Sequence, residues 1–168
     1  HYFLATWGLL APIFVGSALF FTALMWGLWH YMKSGRGFSR EISSELGRAI
    51  RNQEFVIHYL PTMDNQNGLC IGAEALIRWN HPRQGLVMPD IFIPIAERTG
   101  MIVPMTQWLI EQLSIEMGEW LKANPACYLS INISASHFES PFFLKRAYQT
   151  LHRHGIHPSQ LTLEITER

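Results

Sequence analysis

The first 32 residues form one apolar run without interruption by charge. No Asp, Glu, Lys or Arg occurs before Lys33, and the stretch from Tyr2 to Trp29 is longer than the roughly 20 apolar residues that a helix needs to cross a bilayer. Tryptophans near its two ends, Trp7 and Trp26, are typical of interfacial anchors. A buried core helix is the alternative, but so long a charge-free stretch is rare in soluble folds. The pattern predicts one transmembrane helix over residues 1–32.

Three basic residues follow the apolar run directly in the sequence. Lys33, Arg36 and Arg40 lie directly behind it. Because such cations stay on the cytoplasmic side, we expect residue 1 to face outward and residues 33–168 to lie in the cytoplasm. Apolar positions at helical spacing between residues 42 and 50 then predict a coupling helix, so that residues 33–52 form a juxtamembrane linker and helix.

The pattern changes to that of an antiparallel hairpin after residue 53. Phe55–Leu60 is typical of a strand, with Pro61 as its expected end, and a second strand is predicted from Cys70 to Trp79. Asn67-Gly68 between them is a strong hairpin turn signal. The two strands are therefore expected to pair antiparallel.

Helical and extended patterns alternate from the second strand onward. Helices are predicted at residues 89–97, 103–121 and 141–154, and strands at residues 128–134 and 161–166. Such alternation is typical of right-handed βαβ units with a parallel sheet. The pattern alone fits both a barrel and an open sheet.

Three of these strands carry polar side chains where an apolar run is expected. Glu74, Asn132 and Glu164 each alternate with apolar neighbours. One interpretation is a set of hard oxygen ligands for Mg²⁺ or Mn²⁺, with Arg78 four residues beyond Glu74 to bind a phosphate. The other is a set of solvent-facing residues on a sheet that is open on one side. The residues by themselves favour neither.

The amino-acid composition of the chain argues against two classes of protein. The chain has 168 residues, of which 48% are hydrophobic and 15% charged, with 13 basic and 13 acidic side chains. This balance argues against binding a nucleic-acid duplex through bulk charge, and the apolar fraction argues against disorder. Cys70 and Cys127, both on the expected cytoplasmic side, are interpreted as free thiols.

Four ordered motifs resemble one family. Glu74-Ala-Leu-Ile-Arg-Trp79 with His81-Pro82 resembles the signature of the EAL domain family of bacterial cyclic di-GMP phosphodiesterases. The similarity continues through residues 89–102, Ile131–Ser134 and Leu163–Glu167.

The resemblance implies an α/β fold, a TIM-like (β/α)₈ barrel whose first strand is antiparallel, of which residues 53–168 are the N-terminal half. It implies a two-metal site of Mg²⁺ or Mn²⁺ that activates water to hydrolyse cyclic di-GMP to linear pGpG. By motif match, Glu74, Asn132 and Glu164 are the expected metal ligands and Arg78 contacts substrate. Glu74 and Glu167 are the expected catalytic carboxylates. An inner-membrane protein controlled through a homodimer is also implied.

Two departures from the family pattern affect this expectation. The family carries Gln at the end of the first strand, where this chain has Leu60. A barrel of this type takes about 250 residues, and the family's later Asp-Asp metal pair is missing, since Asp64 and Asp90 are the only aspartates. We therefore expect a chain truncated at both ends, with an incomplete ligand set and no activity by itself. The alternative is a non-catalytic cyclic di-GMP receptor or protein-interaction module.

Overall fold

The computed structural model describes residues 20–29 and 44–165. The chain divides into two compact units, His1–Glu41 and Ile42–Arg168. In the first unit, residues 20–29 are helical, and their large apolar side chains are exposed, among them Phe20, Trp26 and Trp29. The rest of the predicted transmembrane helix lies outside the described residues. Within residues 20–29 and 44–165, no helix has the length and apolar character needed to cross a membrane.

The second unit is a mixed sheet with helices on one side. Helix α1 spans residues 44–51. The strands are β1 (Phe55–Met63), β2 (Cys70–His81), β3 (Gly85–Val87), β4 (Tyr128–Ile133) and β5 (Leu161–Ile165). The other helices are α2 (Pro89–Arg98), α3 (Ile102–Ala123) and α4 (Phe143–Arg153), with short 3₁₀ turns at Ala135–His137 and Pro158–Gln160.

The predicted hairpin is present. β1 and β2 pair antiparallel, with Tyr59 opposite Ala75, and Gly68 in the connecting turn has a positive φ of 71° that suits glycine. The expected end of β1 at Pro61 is wrong, because the strand continues to Met63. β1 lies at an edge of the described sheet, where a proline without an N–H is tolerated.

The predicted parallel sheet is also present. The strand order is β1-β2-β4-β5, in which β4 pairs parallel with both β2 and β5. The sequence pattern missed β3, which adds to the end of β2 opposite Trp79–His81. Its three residues are too short to show an alternation. This mixed α/β sheet is consistent with part of a TIM-like barrel.

One face of the sheet is the core. Alternate side chains of β4, Leu129, Ile131 and Ile133, are buried and belong to a cluster that includes Leu109 and Leu113 of α3. This is the apolar face that the strand alternation predicts. The polar positions of β2, β4 and β5 therefore lie on the opposite face, away from the helices.

A buried carboxylate joins α1 to the end of β2. The side chain of Glu45 is 6% exposed and lies 3.1 Å from His81 Nε2, 2.7 Å from Arg83 Nη2 and 3.0 Å from Arg48 Nη2. His81 Nδ1 accepts the backbone N–H groups of Arg83 and Gln84, so Nε2 carries the proton that is donated to Glu45. Burial by itself would raise the pKa of Glu45. The hydrogen bonds from His81, Arg48 and Arg83 outweigh it and leave that pKa below its ordinary value.

We expect Glu45→Gln to lower the free energy of unfolding by about 3 kcal/mol at neutral pH, since it breaks a buried ionic cluster. The folded pKa of Glu45 lies below its unfolded value. The stabilisation is therefore complete above about pH 4.5, and it is lost as the pH falls through the folded pKa. Urea unfolding of both proteins between pH 3 and 7 measures this, with the exposed Glu139→Gln as control. A difference that does not change with pH would contradict the role of the carboxylate.

Candidate functional site

Three neighbouring strands place the predicted ligands on one face. Glu74 lies on β2, Asn132 on β4 and Glu164 on β5. In the parallel register, Glu74 pairs with Ser130, and Asn132 pairs with Glu164. Positions paired in this way, or two apart on a strand, share a face. The backbone thus sets the three oxygen-bearing side chains in one row across the sheet.

The structure brings two of them into contact. Asn132 Nδ2 donates to Glu74 Oε1 at 2.6 Å. Asn132 and Glu164 are exposed, and Glu74 is half-buried. This proximity is the grouping expected from the sequence, while the roles of the three residues as ligands stay a prediction. Glu167, the other expected catalytic carboxylate, lies outside the described residues.

The donor set fits a hard divalent cation. Glu74 and Glu164 supply carboxylate oxygens. Asn132 supplies an amide oxygen once its side-chain amide is rotated by half a turn, which exchanges the positions of its nitrogen and oxygen. Within residues 20–29 and 44–165, no group of three His, Cys, Asp or Glu side chains could hold a metal ion. Among the described residues, Asn132 would therefore be the third ligand of such a site.

Leu60 borders this row directly. It pairs with Glu74 across the hairpin, so its side chain lies on the same face, where it is 56% exposed. A leucine offers no hydrogen bond at this position. The structure thus places the departure from the family pattern next to the first predicted ligand.

A cleft of about 350 Å³ opens at the carboxyl ends of β2 and β4. Its polar lining is Arg78, Asp90, Glu97, Thr106, Asn132 and Ser134. Arg78 Nη1 donates to the carbonyl of Ile77 at 2.9 Å, which uses one of its five donors. Arg78, the expected substrate contact, and Asn132, an expected metal ligand, therefore share one cavity.

Sequence reasoning missed the burial of two histidines. His137 follows β4, is 1% exposed, and bonds both Ser134 and Thr106. In the sequence, His81 is interpreted only as part of a family motif. In the structure it is buried against Glu45. A single histidine at the end of a strand or in a short turn gives no periodic signal, and its burial depends on helices that are distant in sequence.

Almost all of the second unit matches one protein family. Residues 43–168 match the family described as "EAL domain". The chain belongs to the EAL domain family. The resemblance seen in the motifs of β2, α2, β4 and β5 is thereby confirmed.

Relatives of this EAL chain include enzymes of cyclic di-GMP turnover. It is 37% identical over 128 residues to the bifunctional diguanylate cyclase/cyclic di-GMP phosphodiesterase MucR of Pseudomonas aeruginosa, a match that covers 76% of this chain and 19% of MucR. It is 38% identical over 125 residues to the cyclic di-GMP phosphodiesterase PA2567 of the same species, covering 74% and 21%. The chain thus spans about a fifth of the length of these relatives.

Solved EAL structures share the fold. The chain aligns with the MucR phosphodiesterase in complex with c-di-GMP at a TM-score of 0.70 and 36% identity, covering 76% of this chain and 52% of that one. The EAL domain of Xanthomonas citri FimX in complex with c-di-GMP aligns at a TM-score of 0.68 and 20% identity, covering 80% and 52%. At that lower identity the likeness concerns the fold alone.

Proposed function

We propose that this EAL protein hydrolyses cyclic di-GMP to linear pGpG with the help of divalent metal ions. The observation that carries the proposal is the row of Glu74, Asn132 and Glu164 beside a cleft that Arg78 lines. The names of the relatives support the same reaction class, and EAL phosphodiesterases are divalent-metal dependent. The carboxyl ends of barrel strands are where such folds carry their chemistry.

In this proposal the residues divide into metal ligands and a substrate contact. Glu74, Asn132 and Glu164 would hold Mg²⁺ or Mn²⁺, and Glu167 would support the site as a further carboxylate. A metal held by these residues would supply an acidified water and positive charge opposite the phosphoryl oxygens. Arg78 binds a phosphate of the substrate through guanidinium N–H groups that point in one plane. The apolar walls of the cleft, such as Ile93 and Leu109, exclude water around that ion pair.

The test is turnover by the full-length protein. Cyclic di-GMP is incubated with it in Mg²⁺ or in Mn²⁺, and pGpG is separated by chromatography, with a chelated sample as the control. We expect product only when the metal is present. Equal product with and without metal, or no product in either metal, would overturn the proposal.

Leu60 favours a second candidate function, a receptor that binds cyclic di-GMP without hydrolysing it. The exposed leucine beside Glu74 removes a hydrogen-bonding side chain from the predicted site. Calorimetry with cyclic di-GMP separates the candidates. Binding without turnover supports the receptor, and neither binding nor turnover supports a protein-interaction module.

We also propose that residues 1–32 anchor the protein in the inner membrane of a bacterium, with the EAL portion in the cytoplasm and a homodimer as the route of control. Support comes from the charge-free sequence and from residues 20–29, which are helical with exposed apolar side chains. Alkaline carbonate washing of cell membranes tests the anchor. We expect the full-length protein to stay in the pellet and a variant that lacks residues 1–32 to be released. Equal release of both would contradict it.

A further inference from the structure

The segment after β4 is tied to helix α3 by one buried histidine. The backbone N–H of Ser134 donates to His137 Nδ1 at 3.0 Å, and His137 Nε2 lies 2.8 Å from Thr106 Oγ1. Thr106 and His137 are both almost completely buried, at 4% and 1% exposure. The link therefore joins two elements that are distant in sequence, without competition from water.

Nδ1 of the ring lies 3.0 Å from both the backbone nitrogen and the carbonyl oxygen of Ser134. A peptide N–H can only donate, so we expect Nδ1 of the neutral ring to accept it and Nε2 to carry the proton that is donated to Thr106. Burial of the imidazole lowers the pKa of His137. Hydrogen bonds that the charged ring would donate to the backbone carbonyls of Ser134 and Ile102, and the charge of Glu97, oppose this. The ring of Phe143 packs edge-on against it, with the ring centroids 4.7 Å apart. The ring is thus bonded through both nitrogens and packed against Phe143.

Both ends of the link line the candidate cleft. Ser134 and Thr106 contribute to its wall beside Asn132, whereas His137 lies behind them. Asn132 is the last residue but one of β4, and Ser134 is the first residue after that strand. Fixing the Ser134 backbone therefore fixes the end of the strand from which Asn132 projects toward Glu74.

We propose that His137 is a positioning residue, which holds Ser134 and thereby Asn132 in place by bridging the end of β4 to Thr106 of α3. The inference rests on the proposed function for its kinetic consequence, but not for its structural one. Removing a residue that orients a metal ligand without touching the metal typically lowers metal affinity by about 10- to 100-fold.

The first test needs no catalysis. In the full-length protein, nitrogen NMR is expected to find His137 as the neutral tautomer protonated at Nε2. His137→Ala is expected to raise the hydrogen-exchange rate of the Ser134 amide at least tenfold. His137→Asn, whose Oδ1 can replace Nδ1 as acceptor, should restore most of the protection. A ring protonated at Nδ1, or Ser134 exchange that is unchanged in His137→Ala, would overturn the proposal.

The second test follows metal and substrate. For His137→Ala and Thr106→Val, we expect Mn²⁺ affinity, measured by calorimetry, to fall about tenfold, and kcat for cyclic di-GMP to fall while KM changes little. Leu151→Ala removes a buried core side chain on α4 and is the matched control for lost stability. It should lower the unfolding temperature without weakening Mn²⁺ binding. Equal loss of Mn²⁺ affinity in Leu151→Ala would reduce His137 to a structural role and overturn the proposal.

The failures of the two proposals are distinguishable. A wild-type protein that does not hydrolyse cyclic di-GMP refutes the proposed function. In that case Ser134 exchange, the His137 tautomer and the Mn²⁺ titration still decide whether the bridge positions Asn132. Conversely, normal turnover with an unprotected Ser134 amide refutes the bridge alone.

Discussion

Replacing Glu74 by Gln is expected to reduce metal-dependent hydrolysis of cyclic di-GMP roughly a thousandfold, which corresponds to about 4 kcal/mol of transition-state stabilisation. The amide keeps the size of the side chain and can still bond to Asn132, which lies 2.6 Å from Glu74 Oε1 in the native protein. It removes the negative charge that a divalent cation needs. The variant should therefore fold normally while losing most of its activity.

The measurement is initial-rate formation of pGpG by the full-length protein over a range of Mg²⁺ concentrations. Glu119→Gln is the matched control, because Glu119 is a fully exposed carboxylate on α3 that pairs only locally with Lys122. We expect the control to retain native rates. Native activity in Glu74→Gln at every Mg²⁺ concentration would exclude Glu74 as a ligand.

Trp79→Ala is expected to lower the free energy of unfolding by about 4 kcal/mol, the cost of deleting a large buried aromatic side chain. Trp79 is fully buried and packs against Phe55 and Phe92, with ring centroids 5.7 and 5.9 Å away. Its Nε1–H donates to Glu54 at 3.0 Å. One side chain thus joins β2 to β1, to α2 and to the loop before β1.

Chemical denaturation of the full-length protein and two reference variants measures this effect. Trp79→Phe keeps an aromatic ring but removes the N–H, and we expect it to cost about 1–2 kcal/mol. Leu86→Ala truncates a side chain that is 52% exposed, and it should leave unfolding unchanged. If Trp79→Ala unfolds at the same denaturant concentration as Leu86→Ala, the aromatic cluster is not a main contributor to stability.

The helices and strands that could be predicted are those whose own residues show a clear periodic pattern. The helical spacing in residues 102–123 and the alternation in residues 128–133 required no knowledge of the fold, and the Asn67-Gly68 turn fixed the pairing of its two strands. The shared face of Glu74, Asn132 and Glu164 also followed from alternation once the strands were parallel. Their register across the sheet, which makes them neighbours, appeared only in the structure.

Each miss concerns a feature that leaves no periodic pattern in its own segment. β3 has only three residues and pairs with the nearby end of β2, whereas the burial of His81 and His137 depends on partners that are distant in the chain. A proline is read from sequence as a strand end, but an edge strand has no neighbour on one side to require its N–H. Likewise, a histidine becomes structural only when a carboxylate such as Glu45 or a hydroxyl such as that of Thr106 meets it.

The reversed direction of β1 determines at which end of the sheet helix α1 lies. Because β1 runs against its neighbours, its first residue, Phe55, lies beside Trp79, at the same end of the sheet as Arg78 and the cleft. Helix α1, just before β1, is bound there through Glu45 and His81. A parallel first strand would have put α1 at the opposite end of the sheet. Helix α1 therefore contacts β2 three residues from Arg78, so the first helix of this unit and the cleft lie at the same end of the sheet.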